Sequence, residues 1–272
     1  VAHSLSPVLH EAAYRALGLT GWTYDRIEVD AAGLPGLVAG LGPEWTGLSV
    51  TMPGKRAALD FAADASERAV AVGAVNTLIR RPDGGWAADC TDIDGVTGAL
   101  RAAGGYRPSV GDAALVLGAG GTAAAAVVAL AGLGVGQVRL VVREPVRAHE
   151  TVAAAKRAGL AVDVRRWSEV DFAAVAAESA VAVSTVPSAA VAEHATDLAA
   201  AGCLLDAIYH PWPTPLADAA ARRGRRIATG LDMLLHQAFR QVEHFTGLAA
   251  PREQMRDALR RATGDILPLP LD

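Results

Sequence analysis

From residue 110 onward, short apolar runs alternate with longer stretches of helical period. The runs at 113–117, 137–142, 161–164, 180–184 and 204–207 are rich in Val, Leu and Ala and predict strands. Helices fall between them, and this alternation predicts a parallel sheet covered on both faces. Upstream the pattern is less regular. Ser6-Pro7 leading into 8–17 predicts a helix with Ser6 as N-cap, Pro7 at the first helical position and Gly18 past the end. A strand at 24–29, a helix at 34–41, a buried strand at 46–50 and a helix from Pro53 to 62 follow. The stretch 102–110, with Gly104-Gly105 and Pro108, reads as a linker. Two helices, 231–245 and 252–262, end the chain, and there is no internal repeat.

Residues 75–80 and 86–89 flank Pro82-Asp83-Gly84-Gly85 and predict a β-hairpin. Residues facing each other across a hairpin have numbers of constant sum. A loop of Asp83-Gly84-Gly85 puts Asn76 opposite Asp92; a two-residue Asp-Gly loop puts Thr91 there instead. Either register brings the amide to the hairpin end that leads into Thr91-Asp92.

The chain has 272 residues, 51% of them apolar, which suffices for two domains or one large α/β domain and argues against wholesale disorder. A formal charge of −4, with Lys and Arg scattered, leaves no basic footprint for nucleic acid, so an anion must be held by local groups. Cys90 and Cys203 lie far apart without metal-type spacing; they favour a reducing compartment and argue against a disulfide framework. His3, His10, His149, His194, His210, His236 and His244 show no metal spacing and read as structural or surface groups, His236 being the exception to watch because it adjoins Gln237. The uncharged stretch 113–136 is dominated by Ala and Gly and broken by Gly118, Gly120 and Gly121. Strand–turn–helix describes it better than a membrane span. No charged-then-apolar leader opens the chain, and its start at Val1 without methionine leaves an upstream segment open.

Gly118-Ala119-Gly120-Gly121-Thr122-Ala123 fits G-x-G-x-x-G/A between a strand and a helix. There the glycines admit a pyrophosphate to the backbone and the helix N-terminus supplies N–H donors. Near the position where an NAD site keeps an acidic residue on the ribose stands Arg143, with Arg147 one helical turn later. Two guanidinium groups suit a 2′-phosphate; the alternative is two solvated arginines at the start of a helix, and Glu144 between them weighs on that side. Ser4-Leu5-Ser6-Pro7 sets two hydroxyls at a helix start, where they grip a carboxylate or only cap the helix. Taken singly, Lys55 reads as a surface lysine, Asp92 as a cap or turn residue and Asn76 as a strand-end residue.

Taken together, these residues resemble the shikimate dehydrogenase family. H-S-x-S-P is present as His3–Pro7, V-T-x-P-x-K as Val50–Lys55 and G-x-x-N-T as Gly73–Thr77. The family's N-T-D-x-x-G appears as Cys90-Thr91-Asp92-Ile93-Asp94-Gly95 and its glycine turn as Gly118–Thr122. D-x-x-Y-x-P-x-x-T-x-L spans Asp206–Leu216, and G-x-x-M-L-x-x-Q spans Gly230–Gln237. The motifs run in family order over nearly the whole chain.

The resemblance implies an α/β protein of two domains. Residues 1–98 form an N-terminal substrate domain, 99–229 a Rossmann-like doubly wound dinucleotide-binding domain, and 230–272 C-terminal helices that return to the substrate domain. It implies a cytoplasmic oxidoreductase of aromatic amino-acid (chorismate) biosynthesis, an NADP-dependent enzyme that reversibly reduces 3-dehydroshikimate to shikimate, monomeric or homodimeric and needing neither metal, membrane nor nucleic acid. Lys55 and Asp92 become the catalytic pair, Asp92 holding the ammonium. Ser4 and Ser6 hold the substrate carboxylate, and Thr51, Asn76, Tyr209 and Gln237 contact the ring. Gly118, Ala119, Gly120, Gly121 and Thr122 bind the pyrophosphate, Arg143 and Arg147 the 2′-phosphate, and Gly230 the cofactor. A paralogue acting on quinate or aminoshikimate, and a non-catalytic ligand-binding relative, stay open as alternatives. Three departures stand out: the family's first strand upstream of H-S-x-S-P is mostly absent, Cys90 replaces the usual Asn, and Val142-Arg143-Glu144 replaces N-R-T.

Overall fold

A computed structural model of the chain describes residues 4–271. His3 of the opening motif lies outside the described residues. The chain forms two units, one holding the residues up to Thr91 together with Leu234–Leu271, the other Asp92–Met233.

The first unit begins with Ser6–Ala16 (α1) and Leu34–Ala39 (α2). Then come Gly47–Ser49 (β1), Lys55–Phe61 (α3), Asp64–Ala65 (β2), Glu67–Val72 (α4), Thr77–Arg80 (β3) and Trp86–Asp89 (β4). Its four strands lie in the order β1-β3-β4-β2, with β1–β3 and β3–β4 antiparallel and β2–β4 parallel.

The second unit opens with Asp92–Ala102 (α5), Ala113–Leu117 (β5), Gly121–Gly132 (α6), Gln137–Val142 (β6) and His149–Arg157 (α7). It continues through Ala161–Arg166 (β7), Phe172–Ala177 (α8), Val181–Ser184 (β8), Ser188–Val191 (α9), Ala195–Leu198 (α10), Cys203–Asp206 (β9), Pro215–Arg222 (α11) and Ile227–Thr229 (β10). The six strands are parallel in the order β10-β9-β8-β5-β6-β7. Two halves wound outwards from β5 and β8 make the doubly wound dinucleotide arrangement, whose switch point lies between those two strands. Leu115, Leu117, Val141, Leu204 and Leu216 are buried in its core, each worth about 1.5–3 kcal/mol of transfer free energy.

Gly230–Thr246 (α12) and Arg252–Ala262 (α13) end the chain. From Leu234 onward their residues belong to the first unit, where α13 packs on α1 and buries Met255 and Leu259, one turn apart.

Four local expectations change. The segment 24–29 forms no strand. Its backbone has no ladder partner among the described residues, and it faces β1 across a cavity of about 580 Å³. Ser6 is the first helical residue rather than the N-cap; the hydroxyl that serves the helix start is that of Ser4, accepting from Ser6 N–H at 3.2 Å. The hairpin pairs Thr77 with Asp89 and Arg80 with Trp86, a register in neither of the two expected forms. Its loop is Pro82-Asp83-Gly84, closed by Arg81 N–H donating to Gly85 O at 2.8 Å. Pro82 needs no N–H partner, and Gly84 at φ +85° takes the left-handed turn position. Finally, residues 143–147 do not start an α-helix. Glu144 is extended, φ −123° and ψ 101°, as a residue before proline must be, and Pro145–Ala148 is a 3₁₀ turn. Arg143 and Arg147 therefore share no α-helical face.

Candidate active site

In the first unit, the chain leaving α4 runs through Val75 and Asn76 into β3. Val75 N–H donates to the Lys55 carbonyl at 3.1 Å and Val50 N–H to the Asn76 carbonyl at 2.7 Å. The backbone thus fixes Asn76 beside the first turn of α3, whose leading residue, Lys55, is half-buried. The Asn76 side chain is buried and its amide orientation is determined. Oδ1 accepts from the Thr91 backbone N–H at 2.8 Å and from the Thr77 hydroxyl at 2.9 Å, while Nδ2 donates to Gln237 Oε1 at 3.1 Å and to Thr91 Oγ1 at 3.0 Å. Gln237 Nε2 donates to the Leu234 carbonyl at 3.0 Å, which orients that amide as well.

Gln241, one turn after Gln237 on α12, was not among the candidate residues. Its Nε2 donates to the Asn76 carbonyl (3.1 Å) and to Thr77 Oγ1 (3.0 Å). Its Oε1 accepts from Ser49 Oγ (2.9 Å) and lies 3.3 Å from His10 Nε2. A buried primary amide using all its groups is a strong orienting device. The signal was present in the sequence: two glutamines at i and i+4 on a helix face otherwise made of Ala238, Val242 and Phe245. His10, fully buried and stacked on Tyr24 at 4.3 Å, has its pKa lowered to about 4 by burial, against a smaller opposing effect of the Gln241 bond. It is neutral at pH 7 and is a structural residue, as read.

Ser4 and Ser6 are half-buried at the start of α1. Arg26 Nη2 donates to the Ser4 carbonyl at 2.8 Å. Tyr24 is hydrogen-bonded to Ser6 and Ser49, and burial raises its pKa. A hydrogen-bonded chain therefore runs from Ser6 through Tyr24, Ser49 and Gln241 to Asn76 and Gln237. Thr51 is exposed just beyond β1, and Asp92, half-buried, is the first residue of α5.

In the second unit, Gly118 follows β5 at φ +101°, and a Cβ there would stand 2.5 Å from Thr185 Oγ1. Gly120 is exposed, with open space where a side chain would be, and no side chain caps α6. Thr151 Oγ1 donates to the Ala119 carbonyl at 3.0 Å and steadies the turn. Gly121 and Thr122 begin α6, so its first N–H groups face an open approach, as a pyrophosphate cradle requires. A cavity of about 1110 Å³ adjoins this turn, lined among others by Gly118, Gly120, Arg143, Glu144 and Arg147. The glycine turn and the two guanidinium groups, with Glu144 opposing them, fit a dinucleotide carrying extra negative charge on its ribose.

Tyr209 lies in the loop after β9. Asp206, completely buried, accepts from the Thr214 hydroxyl at 2.8 Å and from Ile208 N–H at 3.2 Å; burial raises its pKa. Thr214 Oγ1 also accepts from Ala217 N–H and caps α11. Gly230 closes the other side of the loop: a Cβ there would collide with the Ala207 carbonyl and reach 2.7 Å from the Tyr209 ring. Next to it, Asp232 accepts from Thr229 N–H (2.8 Å) and Oγ1 (2.7 Å), and burial raises its carboxyl pKa to about 6.

The chain is similar to known proteins over nearly its whole length. The family model for the shikimate dehydrogenase substrate binding domain matches residues 1–78, and that for the shikimate 5′-dehydrogenase C-terminal domain matches 230–260. The shikimate dehydrogenase (NADP(+)) of Synechococcus sp. strain JA-3-3Ab is 36% identical, over 98% of this chain and 92% of that protein. The crystal structure of Mycobacterium tuberculosis shikimate dehydrogenase, 54% identical, matches with a TM-score of 0.89 over 96% of both chains. The shikimate 5-dehydrogenase of Thermus thermophilus, in complex with NADP(H) and shikimate, matches at 32% identity and a TM-score of 0.78, over 96% of both chains. With motifs, doubly wound sheet and near full-length relatives in agreement, the chain belongs to the shikimate dehydrogenase family.

Proposed function

We propose that this protein is an NADP-dependent shikimate dehydrogenase that reversibly reduces 3-dehydroshikimate to shikimate in aromatic amino-acid biosynthesis. The observation that carries the reading is the buried amide pair of Asn76 and Gln237, both oriented by hydrogen bonds, in the unit where Lys55 heads α3. Oriented amides suit a ring bearing several hydroxyls, because each amide offers a fixed donor or acceptor. In this reading Thr51 and Tyr209 contact the ring as well, and Ser4 and Ser6 hold its carboxylate.

The turn Gly118–Thr122 holds the pyrophosphate, Arg143 and Arg147 the 2′-phosphate, and Gly230 belongs to the cofactor contacts. When bound, the dinucleotide supplies or accepts the hydride. Lys55 moves the proton, its ammonium protonating the oxygen formed at the ring carbonyl and its amine taking that proton back in the reverse direction. Asp92 contributes the negative charge that favours the ammonium form. A cytoplasmic location belongs to the same reading and is supported by two buried cysteines, Cys90 and Cys203, neither of them in a disulfide. Among the described residues no helix is long and apolar enough to cross a membrane.

Initial rates of NADP⁺ reduction with shikimate, quinate and aminoshikimate test the assignment. Shikimate should give the highest kcat/KM; a higher value with either of the others would overturn it.

A further inference from the structure

We propose that Arg166 is a positioning residue for cofactor selectivity, holding the Glu144 carboxylate away from an incoming 2′-phosphate. The proposal rests on the NADP reading above and extends it to a residue outside the family motifs.

The register of β6 and β7 pairs Val142 with Arg166, so Arg166 stands beside the residue that leads into Arg143. Its Nη1 donates to the Arg143 carbonyl at 3.3 Å and lies 3.5 Å from Glu144 Oε2. Its Nε lies 3.6 Å from Glu169 Oε1. One guanidinium thus engages both the backbone of Arg143 and the carboxylate of the next residue. Arg143, Glu144 and Arg147 all line the cavity beside the glycine turn. Without a partner, Glu144 would cancel much of the attraction that the two arginines offer a dianion.

The pair Arg166–Glu144 does two things. It gives the carboxylate a counter-charge on the β7 side, and it ties the corner at residues 143–144 to the sheet. Glu169 shares the guanidinium, so neutralisation is partial. Both partners are substantially exposed, 43% for Arg166 and 60% for Glu144. Solvent screening therefore limits the effect to about two- to fivefold in affinity. Arg166 acts through Glu144 and is not a phosphate ligand itself.

The test is calorimetric titration of the whole protein with adenosine 2′,5′-bisphosphate and with AMP, a binding readout independent of turnover. Four proteins are compared: the parent, Arg166→Ala, Glu144→Gln and the double variant. The parent should favour the bisphosphate, and Arg166→Ala should lower that preference about two- to fivefold. In the Glu144→Gln background the Arg166 change should have a clearly smaller effect, because only the Arg143 carbonyl and Glu169 remain for it to engage. An unchanged preference in Arg166→Ala overturns the proposal. So does an equal loss in both backgrounds, because Glu144 would then play no part in the effect. A parent without any preference for the bisphosphate overturns the NADP reading instead.

Discussion

Two residues carry the sharpest predictions. Lys55 heads α3 next to the backbone that fixes Asn76. If it transfers the proton in the transition state, Lys55→Ala should lower kcat about 10²–10⁴-fold with little change in KM. A variant with kcat within a fewfold of the parent would refute the role. Gly230 is a steric residue: a methyl there meets the Ala207 carbonyl and the Tyr209 ring. Gly230→Ala should therefore displace Tyr209 and raise KM for shikimate several-fold, whereas a rise confined to KM for NADP⁺ would place the effect on the cofactor side alone. Asn76 shows why residue type is not enough. What it can donate or accept depends on which way its amide is turned, and that is decided by Thr91 N–H and the Thr77 hydroxyl.

At the scale of elements, caps and turns decide where the side chains stand. Thr214 caps α11 and at the same time satisfies buried Asp206, so one hydroxyl anchors both ends of the loop bearing Tyr209. Thr214→Val keeps the shape and removes both bonds. It should cost about 2–4 kcal/mol, combining a lost cap with a buried carboxylate left short of a donor. Urea unfolding measures the loss, and a shift below about 0.5 kcal/mol would mean that water replaces the hydroxyl. The hairpin makes a related point. Pro82 and Gly84 place the turn one residue earlier than Asp83-Gly84-Gly85, and that single step sets which residue faces Asn76.

For the molecule as a whole, the first unit is built from both ends of the chain, and Asp89 is one of its ties. Its buried carboxylate accepts from Ser66 at 2.6 Å, from Arg68 and from His244 at 2.8 Å, so β4, the start of α4 and the end of α12 meet on it. Burial alone would raise its pKa, but the bonds from His244, Arg68 and Ser66 hold it well below the usual 3.8. The folded state then binds fewer protons than the unfolded chain. This contribution is complete above about pH 4 and is lost as pH falls further, at up to about 1.4 kcal/mol per pH unit. Asp232 works in the opposite sense: with its pKa raised to about 6, its contribution weakens as pH rises through that value. Asp89→Asn should lower stability at pH 7 and flatten the loss between pH 4 and 2 in urea titrations. Equal slopes for parent and variant would remove Asp89 as the acid-sensitive tie.

The strands 113–117 and 137–142 can be read from the chain to the residue, because a largely buried parallel strand is rich in apolar residues over a short run bounded by turn residues. The glycine turn is legible too, since few backbones other than a phosphate cradle ask for glycines at those spacings after a strand. The short strands Asp64–Ala65 and Ile227–Thr229 escape such a reading, being defined by their neighbours' backbones and not by a period of their own. The segment 24–29 failed for the converse reason: strand propensity without a ladder partner does not make a strand. Only the packed molecule reveals that Gln241, 165 residues from Asn76, orients it, and that Arg166 on β7 answers Glu144. Periodicity reports which face of an element is apolar. Hydrogen bonds and charges between distant segments leave no period along the chain, so they become visible only once the strands and helices are packed.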